Sequence, residues 1–150
     1  MSNLERALVI AALAHAGQRD KGGEPYVLHP LRMMLKLETD EERQAALLHD
    51  VLEDTDVSLQ DLQEAGFSSD VLEAVQLLSR LPGESRMQAA RRAATSPLAL
   101  RVKLADNADN LNVKRIPEPD EHDLARLKEY RAVRRFLLRV AAEGRQQDEA

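Results

Sequence analysis

Apolar positions along this chain recur every three to four residues in segment after segment, while the alternation that makes strands is nearly absent. Ser2-Asn3-Leu4-Glu5 has the form of a capping box and opens a run that places Leu4, Leu8, Ala11 and Ala12 on one face. The glycines and proline of residues 17–28, GQRDKGGEPYVL, predict a loop. His29-Pro30 then starts a second helix, with proline at the first helical position, where its missing N–H is harmless. Thr39-Asp40-Glu41-Glu42 is another capping box and leads into a helix expected over 41–54. Further helices are predicted over about 59–65, 70–80, 86–94 and 97–115, with Gly66 ending the first and Ser85 and Ser96-Pro97 opening the last two. Pro117 and Pro119 break the chain before a final helix from about 120 to 142, closed by Gly144. With no repeat and no long linker, the expectation is one all-α domain over 1–150. It would be a compact multi-helix bundle with its core at about 1–135 and a C-terminal tail at about 143–150.

Composition sharpens this picture in a few places. Aromatics make up only 3% of the chain and tryptophan is absent, so the core must be leucine, alanine and valine, a helix-favouring mixture. There is no cysteine, which excludes disulfides and thiolate metal sites and leaves histidine and carboxylates as the possible metal ligands. The N-terminal apolar stretch is too short and too soon charged for a signal peptide. No apolar run approaches the roughly 20 residues of a membrane span. A cytoplasmic protein without a membrane partner is expected. The net charge of −5 argues against a nucleic-acid partner, though a local pocket of opposite sign still allows an anionic small molecule.

Residues 45–56, AALLHDVLEDTD, then pose a problem of charge. On a continuous helix His49 and Glu53 are spaced i,i+4, as are Asp50 and Asp54, so all four share one side near the negative end of the macrodipole. Taken alone, these residues are either solvated acids beside a core histidine or a cluster built around a cation. Residues 100–112, LRVKLADNADNLN, place Asp106 near an apolar helix face, where a carboxylate needs a partner. Asp109 and Asn110 follow it at i+3 and i+4. His29 is a third polar point, at the start of a helix. In order, His29, His49-Asp50 and Asp106 supply imidazoles and carboxylates that suit a divalent metal such as Mn²⁺ with positions open for water and phosphate.

The order H…HD…D resembles the HD-domain metal phosphohydrolases. The flanking words AHAGQ (14–18), GEPYVLHPL (23–31), AALLHDVLEDT (45–55) and VKLADNADNL (102–111) are similar to the hydrolase domain of RelA/SpoT-type proteins and their small stand-alone relatives. The resemblance covers roughly residues 1–135, and the chain has no room for the synthetase and regulatory domains of the long members. It implies the HD-domain bundle, with His29, His49, Asp50 and Asp106 as ligands of a divalent metal, Mn²⁺ foremost. Glu53 and Asp54 become the catalytic pair that positions and deprotonates a water. The implied reaction removes the 3′-pyrophosphate of (p)ppGpp to give GDP or GTP, so the partner is a small-molecule nucleotide. The same resemblance makes Lys21, Asn110, Arg126 and Tyr130 substrate contacts. Asp20 stands where the family usually has arginine, which leaves open an HD phosphohydrolase of another nucleotide or phosphoester, or a weakly active nucleotide-binding sensor. Beyond the motifs, His15 reads as a core or supporting residue and His122 as surface. Arg91-Arg92 reads as part of a solvated helix face, and Arg80 and Arg86 are the cations nearest the Pro82-Gly83-Glu84 loop.

Overall fold

The computed structural model describes residues 1–149. Among the described residues every regular element is helical, and the one sheet-like pairing is an isolated bridge between Arg19 and Pro25. The capping boxes start helices as their chemistry requires. Ser2 Oγ accepts from the Glu5 amide at 3.2 Å and Glu5 Oε1 accepts from the Ser2 amide at 3.1 Å, opening α1 (Asn3–Ala14). Thr39 and Glu42 exchange the same pair of bonds ahead of α3 (Asp40–Leu48). Between them, α2 (Leu28–Leu35) begins one residue before His29.

The helix expected over 41–54 is broken at the His-Asp pair. α3 ends at Leu48, and α4 (Val51–Asp54) resumes after Asp50, whose φ and ψ are −107° and −3°. The cause is local. His49 Nδ1 donates to the Ala46 carbonyl at 2.7 Å and so competes with the backbone ladder there.

α5 (Leu59–Glu64), α6 (Ser69–Leu78) and α7 (Arg86–Ala93) fall close to their expected ranges. α8 (Pro97–Asn110) ends earlier than the predicted 115, because Asn112 accepts from the Lys114 amide and turns the chain into a separate 3-10 turn, Val113–Arg115. α9 (Glu121–Glu149) opens with Asp120 and Asp123 accepting from each other's amides, at 2.8 and 3.1 Å. It runs straight through Gly144, so residues 143–149, expected as a tail, continue the helix. Glycine ends a helix only where the chain turns left-handed, and the Arg-Gln-Gln that follows here favours helix instead. Ala150 lies outside the described residues.

α3 is the central helix, packed against α1, α2, α6 and α8, while α8 reaches α2, α3, α6, α7 and α9. Leu47 and Leu48 face a cluster with Ala7, Ala11, Leu62, Val71 and Val75. Ala45 and Ala46 face another with Met33, Ala74, Ala93, Ala99 and Val102, where small side chains let the helices approach closely. The C-terminal half of α3 is therefore enclosed on both sides, and His49 beyond it is only 3% exposed. A smaller cluster of Ala90, Val133 and Leu137 docks α9 on α7. Among the described residues no helix is long and apolar enough to cross a membrane.

Leu47 is completely buried, so Leu47→Ala is expected to cost about 2–5 kcal/mol of unfolding free energy. Leu138→Ala, on the exposed face of α9, should cost less than about 0.5 kcal/mol. Urea titrations followed by circular dichroism check both, and equal midpoints would contradict a core centred on α3.

Candidate active site

The break after α3 aims His49 into the bundle. Because a carbonyl only accepts, the His49 Nδ1 that bonds Ala46 O carries the proton, and the neutral ring offers a lone pair at Nε2. That atom is buried without a hydrogen-bond partner, 3.1 Å from Asp50 Oδ2 and 3.6 Å from Asp106 Oδ1. A lone pair facing two carboxylate oxygens is repulsive until a cation sits among them. His29 arrives from the first turn of α2, with Nε2 3.0 Å from the same Asp106 Oδ1. His29, His49 and Asp50 can offer one ligand atom each to a single point, and Asp50, Glu53 and Asp54 form an overlapping set. The four residues expected as ligands thus converge, and their donors fit a divalent metal.

The electrostatics agree with this fit. Burial, and then the charges of Asp106, Asp54 and Glu53, push the Asp50 carboxyl well above the usual carboxylate range. Burial acts on Asp106 too, but the Lys103 ammonium and the His29 hydrogen bond outweigh it and hold that carboxyl well below the range. Burial alone would lower His29, yet Asp106 and Asp109 on its two ring nitrogens raise it. Tyr26 donates its hydroxyl to Asp50, adding a neutral donor beside the cluster.

Asp109, seen in the sequence only as part of a polar cluster, has a supporting role. It is fully buried and accepts from His29 Nδ1 at 2.6 Å, from Arg32 Nε and Nη2 at 2.8 and 3.0 Å, and lies 3.3 Å from Arg115 Nη1. This holds the His29 ring with its Nε2 toward the ligand cluster, the arrangement that orients metal-binding histidines. One turn of α8 sets the spacing, since Asp106 and Asp109 are i,i+3. The arginines come from elsewhere and had no signal in sequence.

The cluster lies in an open cleft that Glu53 and Asp54 line from an exposed position, so the expected catalytic pair meets solvent beside the buried cluster. Lys103, Arg80, Arg86 and Arg115 line the same cleft. Lys103, which the sequence reading did not single out, is 3.1 Å from Asp106 Oδ2, the oxygen turned away from the histidines. A second cleft adjoins the first and shares Tyr26, Asn110, Arg115 and Tyr130 with it.

All four expected substrate contacts line this second cleft. Lys21 is paired with Asp123 at the start of α9. Asn110 donates to Asp106 Oδ1 at 3.1 Å and accepts from Arg115 Nη1 at 3.0 Å. Tyr130 has the Arg86 guanidinium 5.2 Å from its ring centroid, and Arg126 lies one turn before it. Asp20 is a turn residue: Oδ1 accepts from the Glu24 amide at 3.0 Å, and Oδ2 lies 3.8 Å from Arg115 Nη2. His15 is buried against Tyr26, with ring centroids 4.8 Å apart, and His122 is exposed, as expected.

The raised His29 pKa has a sign that can be checked. A group raised on folding stabilises fully below its unfolded value, about 6.5, and loses that contribution as pH rises through the folded value. Chelator-treated protein should therefore lose thermal stability as pH climbs above about 6.5. Over the same range the affinity for a divalent cation should increase, because the cation displaces the His29 proton. Asp109→Asn is expected to weaken metal binding about 10–100-fold by calorimetry with the fold retained. Unchanged affinity would remove Asp109 from the site.

The profile of the HD domain matches residues 7–142. A guanosine-3′,5′-bis(diphosphate) 3′-pyrophosphohydrolase of Vibrio cholerae is 35% identical over 133 residues, which cover 79% of this chain and 19% of that protein. A protein of the same name from Aquifex aeolicus is 33% identical over 120 residues, covering 72% and 17%. This chain thus spans about a fifth of the length of such relatives. The solved structure of a metazoan ortholog of SpoT, described as hydrolysing ppGpp and acting in starvation responses, superimposes with a TM-score of 0.72 and 25% identity over 93% of this chain and 85% of that one. By its fold and the match across residues 7–142, this chain belongs to the HD-domain family.

Proposed function

We propose that this domain is a Mn²⁺-dependent phosphohydrolase that removes the 3′-pyrophosphate of (p)ppGpp, giving GDP or GTP. The observation that carries this reading is the unpartnered His49 Nε2, turned to Asp50 and Asp106 at the floor of a cleft whose rim holds Glu53 and Asp54. The names of the relatives and of the structural neighbour support the choice of substrate. A divalent ion held by His29, His49, Asp50 and Asp106 would polarise a phosphoryl oxygen and lower the pKa of a bound water. The hard oxygen ligands beside imidazoles suit Mn²⁺.

The chain's own residues divide the remaining work. Glu53 and Asp54 orient the attacking water and take its proton, as exposed carboxylates within one turn of Asp50 are placed to do. Glu53 is itself fixed, since Oε1 accepts from the Arg80 amide at 2.6 Å. Lys103, Arg80 and Arg86 offset the charge of the pyrophosphate in the first cleft. The nucleoside and its 5′-phosphates lie along the second cleft, toward Lys21, Arg126 and Tyr130, with Asn110 at the junction.

Asp20 favours a second reading, a different phosphorylated nucleotide, because its carboxylate faces the Arg115 guanidinium and offsets part of the cleft's positive charge.

Incubating the protein and Mn²⁺ with ppGpp, pppGpp, GTP and NADPH and assaying pyrophosphate and phosphate distinguishes the readings. Pyrophosphate from ppGpp, abolished in Glu53→Gln and Asp106→Ala, is the expected result, and no turnover of any nucleotide would sink the enzyme reading. Asp20→Asn keeps the turn acceptor and removes the charge. It should lower KM for ppGpp about two- to fivefold, the worth of a partly solvated ion pair. A KM that stays put would show that Asp20 has no part in substrate choice.

A further inference from the structure

Arg92 is not the solvated arginine that its place in Arg91-Arg92 suggests. Its guanidinium grips Glu84 with a two-bond fork, Nε to Oε2 at 2.7 Å and Nη2 to Oε1 at 2.9 Å, while Nη2 also donates to the Ser79 carbonyl at 2.6 Å. Glu84 in turn ties down the loop between α6 and α7. Its Oε1 accepts from the Leu81 amide at 3.0 Å and its carbonyl accepts from Arg80 Nε at 2.8 Å. The Arg92 fork holds the Glu84 carboxyl down at about 2.

The Ser79 carbonyl and the Arg80 amide belong to one peptide unit. A trans peptide is planar, and its C=O and N–H point in opposite directions. The carbonyl end of this unit lies on Arg92, and the amide end donates to Glu53 Oε1 at 2.6 Å. Fixing one end fixes the other. A cation on the carbonyl also polarises the unit and strengthens its N–H as a donor. Neither Arg92 nor the Glu84 side chain lines the active-site cleft, so both side chains reach Glu53 through this peptide, while the Glu84 carbonyl, which any substitution at 84 leaves in place, holds the Arg80 guanidinium.

We propose that Arg92 and Glu84 are positioning residues for the hydrolysis, locking the Ser79–Arg80 peptide so that its N–H orients the Glu53 carboxylate toward the attacking water. The proposal rests on the role given to Glu53 above. Loosening the clasp lets the peptide rotate and Glu53 swing, which slows the proton transfer and leaves the residues that would hold the metal, and the cations Lys103 and Arg86, in place.

Two readouts test this. In ¹H–¹⁵N spectra the Arg80 amide should resonate far downfield, as a donor to a carboxylate does. It should move upfield in Glu53→Ala, and equally in Arg92→Gln. In Mn²⁺-loaded enzyme, Arg92→Gln should lower kcat about tenfold, the loss of one well-aligned bond to a charged group, with KM and metal affinity within about twofold. Glu84→Ala, a gentler change in the loop, should do the same, which keeps the test decisive if Arg92→Gln does not fold. An Arg80 resonance that ignores both Arg92→Gln and Glu84→Ala, or a kcat that neither substitution lowers, would overturn the proposal. The spectra need no substrate, so a wrong nucleotide assignment and a wrong role for Arg92 give different results.

Discussion

Carboxylates and imidazoles crowded into an apolar helix bundle are the constraint on which the rest of this structure depends. Asp106 and Asp109 are buried beside His29 and His49, and Asp50 is pressed between them and the acids of α4. In such a setting charge is poorly screened, and each group must find a partner or change its protonation. The protein supplies partners unequally. Asp109 has a full set in His29, Arg32 and Arg115, and Asp106 has Lys103 and His29. Asp50 has no cationic side chain of its own and is left, with the His49 lone pair, facing the point where a divalent ion fits.

That imbalance explains the order of the layers around the site. The innermost groups are short side chains on α2, the α3–α4 break and α8, and α2, α3 and α8 meet in the alanine-rich cluster. The next layer is cationic and comes from the periphery. Arg115 reaches in from the 3-10 turn, against which the backbone of residues 17–25 packs so closely that a Cβ on Gly22 would sit 2.2 Å from the Arg115 carbonyl oxygen. Only glycine allows that approach, which ties the position of Arg115 to the shape of the Asp20–Glu24 turn.

The opposite wall is made differently. There the loop between α6 and α7 presents backbone as well as side chains, and Arg92 and Glu84 hold it from behind. An exposed acid such as Glu53 would otherwise sample many rotamers, and the general-base role proposed for it is effective only when its lone pair is aimed. Rigid backbone N–H groups give that aim at little entropic cost.

How much of this was legible in the chain depends on how local each interaction is. The helices were readable because Ser2, Thr39, Ser85 and Ser96 cap them within three residues, and the convergence of His29, His49, Asp50 and Asp106 was readable because the His-Asp pair and the Asp106 word break an apolar pattern. The errors are of the same local kind seen from the other side. His49 spends its Nδ1 proton on Ala46 and interrupts a helix the periodicity had continued, and Gly144 continues one that glycine was expected to end. The role of Asp109, and Arg115, Lys103 and Arg92 altogether, gave no usable signal. Asp109 and Arg115 find partners on other elements, Arg92 across a loop and Lys103 one turn along α8, and a charged residue at helical spacing looks the same whether it faces water or a buried carboxylate. Local patterning was enough to mark His29, His49, Asp50 and Asp106 as polar points in an apolar helical chain. Which charges meet was settled by packing, because that depends on how α2, α3, α8 and the loops lie against one another in space.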